Sequence, residues 1–363
     1  MRRLALLLTV GFAALAAGTA RAADPPAPAA TAPPAASQVY KPTSLKPSVD
    51  VPRTADGHPD LQAAVWDAYF FAPLQMTQPK LAPTLVLPED QARAAHKALV
   101  ASFLDSPIFK PILALDPEFE GILHDSKGFP IVRGERRSRL VVLPADGKIP
   151  LTPDGKKQST LSMSAMVDKA DNPEDRNSLE RCLGVEAAPP DFFLGGPNPR
   201  QFVVTRDYVV VHTETGDEVR VIPFANTHGA AGPHPAYGDS IARWEGDTLV
   251  IETTNSPRGQ RKRFSPLGLL VVNPDARVIE RFTRLSRDEL LYQFTVEDPA
   301  VYAAPWLAEY SFFRTPYRMF PGECHEGNYS LPNILAGGRE TDRAKAAAAA
   351  QVAAAASPAE AQK

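Results

Sequence analysis

Short apolar runs alternate with tight turns through residues 201–313, and that pattern predicts strands. QFVVT, YVVVHTE, EVRVIPF, IARW, TLVIETT, ARVIERFTRL, LLYQFTV and LAEYSFF are rich in Val, Ile, Thr, Tyr and Phe. Turn signals separate them, among them Arg206-Asp207, Thr215-Gly216-Asp217, Glu245-Gly246-Asp247 and Asn273-Pro274-Asp275. Turns this short leave no room for crossover helices. The predicted fold is mainly β: an antiparallel meander curled into a barrel or a strongly bent sheet, with a few peripheral helices.

The period changes elsewhere. Pro88-Glu89-Asp90 opens a helix with acidic residues in its first turn and Ala92, Ala95, Leu99 and Phe103 on one stripe, ending before Pro107. His96 lies beside that stripe and reads as a partly buried surface residue. Between 106 and 170 prolines interrupt the pattern, while 129–132 and 138–143 look like strands that add to the main sheet or form a lid. Near the end, Asn328 or Ser330 can cap a helix with Pro332 in its first turn. The alanine run of 344–356 continues as a helical or disordered tail with no apolar stripe to dock.

Composition adds compartment and limits partners. The chain has 363 residues, 44% hydrophobic and 22% charged, with a formal net charge of -3, the balance of a soluble globular protein. No dense basic stripe is present, which argues against nucleic acid, and the cluster Arg258-Gly-Gln-Arg-Lys-Arg263 reads as a solvated loop between strands. Residues 1–22 read as a secretion signal: Arg2-Arg3, an apolar run from Leu4 to Ala17, then the small-x-small Ala20-Arg21-Ala22. No stretch approaches the ~20 apolar residues of a membrane span. The expected location is periplasmic or extracellular. Residues 23–52, with eight prolines, read as a tether, 53–340 as one mainly β domain and 341–363 as the tail.

Export gives the cysteines meaning. Cys182 precedes the predicted meander and Cys324 follows it, so a disulfide between them would tie its ends across 142 residues. In the chain-entropy model such a loop is worth at most about 5 kcal/mol. Two buried thiols are the alternative.

Several ordered motifs then point to one family. They are residues 53–66, Ser138-Arg-Leu-Val-Val-Leu-Pro-Ala-Asp-Gly-Lys-Ile-Pro150, Glu180-Arg-Cys182, Arg243-Trp-Glu-Gly-Asp-Thr-Leu-Val-Ile-Glu-Thr253, Glu280-Arg-Phe-Thr-Arg284 and Cys324-His-Glu-Gly-Asn-Tyr329. Together they resemble a large uncharacterised family of exported bacterial proteins. In the opening motif four residues, Gln62-Ala63-Ala64-Val65, separate Leu61 from Trp66, one more than the family's pattern and without its glycine. The resemblance implies an architecture and no catalytic assignment.

Candidate chemistry comes from strand alternation. His212 and Glu214 share a face of one strand, either where it surfaces or at the rim of a cavity. Glu252 and Glu280 stand mid-strand in VIET and VIER. A solvated outer face is the expected place for both; inside, each would need an arginine such as Arg243, Arg281 or Arg284, or a raised pKa. His325 and Glu326 follow Cys324, and His228 and His234 lie in a Gly/Pro-rich loop. HxH, HExxH and CxxC are absent, so no metal and no cofactor is expected. GxSxG, the Walker loop and the dinucleotide fingerprint are absent too. The leading expectation is a carrier of a small apolar or amphipathic molecule, with Trp244, Arg243, Glu252, Glu280, Tyr292, His228 and His234 as binding residues. A hydrolase or lyase using His212, Glu214, His325 and Glu326 is the second, and a structural or interaction module of the envelope the third.

Overall fold

The computed structural model describes residues 50–62, 64–68, 70–77, 79–106, 110, 128–159, 170–176, 181, 187–191, 198–229, 235–257, 262–265, 268–322 and 329–356. The chain divides into a unit of residues 1–39 and a unit of residues 40–363, and all described residues belong to the second.

Every predicted strand of 201–313 forms, within about two residues at each end. They are β6 (Arg200–Val204), β7 (Tyr208–Thr213), β8 (Glu218–Pro223), β9 (Asp239–Glu245), β10 (Thr248–Thr254), β13 (Arg277–Arg284), β14 (Glu289–Glu297) and β15 (Trp306–Thr315). Alternation decides their faces. In β13 every second residue, from Val278 to Arg284, is buried. The β7–β8 turn holds because Gly216 takes φ +79°, a conformation open to glycine without strain.

The uninterrupted meander does not form. With β1 at Val65–Asp67, the order in the sheet is β8-β7-β6-β1-β15-β14-β13-β10-β9. Two antiparallel runs, β6–β8 and β9 to β15, are joined through β1 (Val65–Asp67), a three-residue strand from the start of the domain. It pairs with β15 at Val65↔Thr315, Trp66↔Arg314 and Asp67↔Phe313, and with β6 at Trp66↔Arg200. The tenth strand, β5 (Val141–Leu143), pairs with β15 at Leu307 and Ala308.

Nor does the sheet close into a barrel. Its path carries nine strands, so its two edges, β8 and β9, run parallel and cannot continue the antiparallel ladder. Among the described residues they meet at one parallel bridge, Phe224 with Ala242, where the Ala225 amide donates to the Ala242 carbonyl at 3.1 Å. The sheet is strongly curled, with a seam.

Outside this sheet, β11 (Lys262–Ser265) pairs with β12 (Gly268–Val271), so Lys262 and Arg263 belong to a strand and not to the expected loop. Residues 258–261 lie outside the described residues. A small sheet of β2 (Val86–Leu87), β3 (Ile131–Val132) and β4 (Glu135–Arg137) accompanies α1 (Glu89–Leu104), which buries Ala92, Ala95, Leu99, Val100 and Phe103 as its stripe predicts. His96 is half-buried between the rings of Phe71 and Phe129, and that burial lowers its pKa. A second helix, α2 (Ser330–Ala356), runs through the alanine-rich segment and is largely exposed. Among the described residues no helix is long and apolar enough to cross a membrane.

The concave side is packed with rings. Phe202 meets Phe282 at 5.1 Å, Phe282 meets Tyr292 at 4.9 Å, and Tyr310 meets both Tyr292 and Phe312 at 5.1 Å. Each such pair adds about 0.5–1.5 kcal/mol beyond the area it buries.

Candidate functional site

One end of this aromatic interior is polar. Arg200 of β6, Thr213 of β7 and Glu218 of β8 stand side by side in register, and all three are buried. One step along, Phe202, Val211 and Arg220 form the next row. β8 is inverted relative to a simple apolar-in reading: Glu218 and Arg220 point inward with Ile222, while Val219 and Val221 are exposed.

Opposite this wall stands Glu280, wholly buried on β13. Arg220 donates to Glu280 at 2.8 Å and to the Ser240 hydroxyl at 3.3 Å, and Ser240 shares a 2.8 Å hydrogen bond with Thr253. The Tyr292 hydroxyl donates to the second Glu280 oxygen at 3.0 Å and accepts the Asp191 amide at 2.7 Å. Asp191 also receives the Tyr310 hydroxyl on its carbonyl and forms an ion pair with Arg200, whose guanidinium lies 4.6 Å over the Phe312 ring. The Glu218 carboxylate accepts the Ala187 amide. Glu280 therefore faces the interior and not the expected solvated side. Its arginine comes from β8, at the far end of the strand order, because the curl brings that edge over β13.

Burial shapes the acid–base character here. It pushes the Tyr292 phenol well above its ordinary value, and the Glu280 carboxylate adds to the shift. Tyr237 is raised by burial and then by Glu218. Burial lowers Arg200, against the pull of Tyr310, Tyr292, Asp67 and Glu280. The phenols thus remain hydrogen-bond donors at neutral pH.

Hydrogen-bonding capacity is left over in this end. Among the described residues, Asn198 Nδ2, Arg200 Nε, Thr213 Oγ1 and Arg220 Nε are buried with no hydrogen-bond partner, and neither Asp191 carboxylate oxygen accepts a hydrogen bond in addition to the ion pair. Such groups in a native interior mark a place for water, an ion or a ligand.

A second cluster lies on the opposite face of β9, β10 and β13. His228 Nδ1 lies 3.1 Å from Asp239 and its Nε2 lies 3.5 Å from Glu252. Glu252 accepts Arg277 at 2.7 Å and Arg243 at 3.5 Å. The Arg277 hydrogen bond holds the Glu252 carboxyl below its ordinary value despite partial burial. On the interior face of β9, Trp244 packs against the core and stacks on His58 with centroids 4.4 Å apart. Three of the predicted binding residues, His228, Arg243 and Glu252, therefore meet in this second cluster, while Glu280 and Tyr292 meet inside.

No family model, curated protein or solved structure matches this chain.

Among the described residues, the candidates His212 and Glu214 take separate partners. His212 pairs with Asp217 at 2.7 Å, whereas the Glu214 carboxylate accepts the Phe320 amide at 2.7 Å. His234, His325, Glu326, Cys182 and Cys324 lie outside the described residues. Among the described residues no group of three or more His, Cys, Asp or Glu side chains is arranged to hold a metal ion. An open groove of about 590 Å³ lies elsewhere, lined by Gln62, Val65, Gln201, Asp288, Arg314 and Tyr317 among others. Its Gln201, Arg314 and Tyr317 are exposed, so their polar groups are open to solvent, unlike the buried donors of the interior.

Arg200, Arg220, Asp191, Asn198 and Thr213 escaped the sequence reading. A signal existed for Arg220: in EVRVIP it shares a face with Glu218 and Ile222, the face that the curled sheet turns inward.

Proposed function

We propose that this protein binds a small amphipathic molecule at the polar end of its curled sheet, in the periplasm or outside the cell. One observation carries the reading: buried donors on β6, β7 and β8, and on Asn198 just before β6, have no acceptor in the described chain. A bound molecule that supplies hydrogen-bond partners would recover the free energy each unmet group costs, about 1–3 kcal/mol. The rings of Phe202, Phe282, Tyr292, Tyr310 and Phe312 offer an apolar wall for its remainder. The seam between β8 and β9 offers a way in, being bridged among the described residues by one backbone bridge and the side-chain contacts of Arg220. The secretion-signal pattern of residues 1–22 supports the location.

Native mass spectrometry of the exported protein tests this directly. A stoichiometric co-purifying small molecule is expected, displaced by a fluorescent amphiphile in a saturable titration. Thr213→Val should weaken that binding by roughly five- to a hundredfold, the range set by one buried hydrogen bond. Apo protein in every preparation, with no saturable uptake of the amphiphile, would remove the proposal.

A further inference from the structure

Apart from the interior of the curled sheet, we infer that the cavity between α1 and β4 is a second binding site, one that takes the phosphate group of a small phosphate monoester. The cavity measures about 290 Å³, at the small end of ligand pockets, and cations line it from two elements. Arg93 and Lys97 line it from α1, one helical turn apart, and Arg136 lines it from β4. Glu89 is the one carboxylate in its wall among the described residues. His96, in the same wall, is neutral at neutral pH because burial, and then Arg136, lower its pKa.

The three cations are held in different ways. Arg136 is already set in place, since its Nε donates to Glu89 at 2.9 Å and an Nη donates to the Phe129 carbonyl at 2.8 Å. A charge fixed in advance gives up little side-chain freedom when a ligand arrives. Arg93 and Lys97, by contrast, neither hydrogen-bond nor pair with a carboxylate among the described residues. Like charges four residues apart on a helix repel, so this pair is a local cost that an anion between them relieves. Three cations against one carboxylate leave two positive charges on the wall, and a phosphate monoester carries about −1.5 to −2 at neutral pH. Its three acceptor oxygens point apart and can meet cations on both sides, whereas the two oxygens of a carboxylate lie in one plane.

Isothermal titration calorimetry of the exported protein tests this at an ionic strength of about 0.15 M, where the Debye length is about 8 Å and diffuse surface attraction is screened. Glycerol phosphate should bind saturably at one site, sulfate should compete with it, and succinate, a dianion of the wrong shape, should bind at least about tenfold more weakly. Arg93→Gln with Lys97→Gln keeps good helix formers at two exposed positions and should weaken glycerol phosphate by about tenfold or more at unchanged thermal stability. Arg206→Gln, an exposed cation before β7, should leave binding as it is. Cosedimentation with phosphatidylcholine vesicles that contain phosphatidate, abolished by the double substitution, would identify the monoester as a lipid head group. Glycerol phosphate binding without cosedimentation would identify it as a soluble molecule. No saturable binding, succinate as tight as glycerol phosphate, or an equal loss in Arg206→Gln would each overturn the inference, because each describes an unspecific cationic surface.

Discussion

Glu280 and Arg220 make the sharpest energetic statement at the scale of single residues. A buried ion pair contributes little net stability, but removing one member strands the other in a low dielectric. Glu280→Leu should therefore cost about 3–5 kcal/mol in urea denaturation. Arg220→Met with Glu280→Leu together should cost clearly less than the single change. A double variant as damaged as the sum of the singles would show the pair to be uncoupled. On the same strand, Val219→Lys and Val221→Lys face solvent and should stay within about 0.5 kcal/mol of the parent. Glu252 supplies the pH dependence. Its folded pKa is depressed, so its contribution is full above the ordinary carboxyl value of 4.5 and fades as pH falls through the depressed one. Glu252→Gln should flatten the acid side of the stability profile, and an unchanged slope would contradict the Arg277 pairing. The sequence could not distinguish Glu252 from Glu280, because VIET and VIER carry the same local pattern. Which carboxylate turns inward depends on the curl, and the curl depends on residues far along the chain.

At the scale of elements, alternation and turn chemistry made eight strands and α1 readable, since each is decided within its own dozen residues. The element that orders the sheet was not readable. β1 is three residues long, too short for a period to show, and its place between β6 and β15 is set by tertiary packing. Trp66 anchors it: the indole N–H donates to the Leu61 carbonyl at 2.9 Å, and the Arg284 guanidinium lies 5.1 Å from the ring centre. Truncating this fully buried side chain to alanine should cost about 3–5 kcal/mol. The loss should also be uneven. Hydrogen exchange in Trp66→Ala should accelerate most in β6–β8, which β1 joins to the rest of the sheet, and less in β13–β15, which keep their own long ladders. Equal acceleration in both groups would show that β1 is not their link.

For the whole molecule, the deciding feature is the parity of the sheet. A ninth strand on the hydrogen-bonded path leaves parallel edges, and this is why a pattern that reads as a barrel builds a curl with a seam. Parity was invisible in the chain because β1 was the strand missing from the count. The seam in turn gives the polar interior a boundary that can part without breaking a ladder, since among the described residues the Phe224–Ala242 bridge and the reach of Arg220 are what join the edges across it. Replacing Phe224 and Ala242 by cysteines places two thiols on directly bridged residues, where an oxidised cross-link would fix the edges. Stopped-flow fluorescence should then show both association and dissociation of the amphiphile slowing, with the equilibrium constant changed far less than either rate, because the cross-link obstructs the path and leaves the binding groups intact. The parent chain under the same oxidation controls for Cys182 and Cys324. Rates that match that parent would place the entrance somewhere other than the seam, whereas a selective loss of affinity at unchanged association rate would mean that the edges move as part of the bound state.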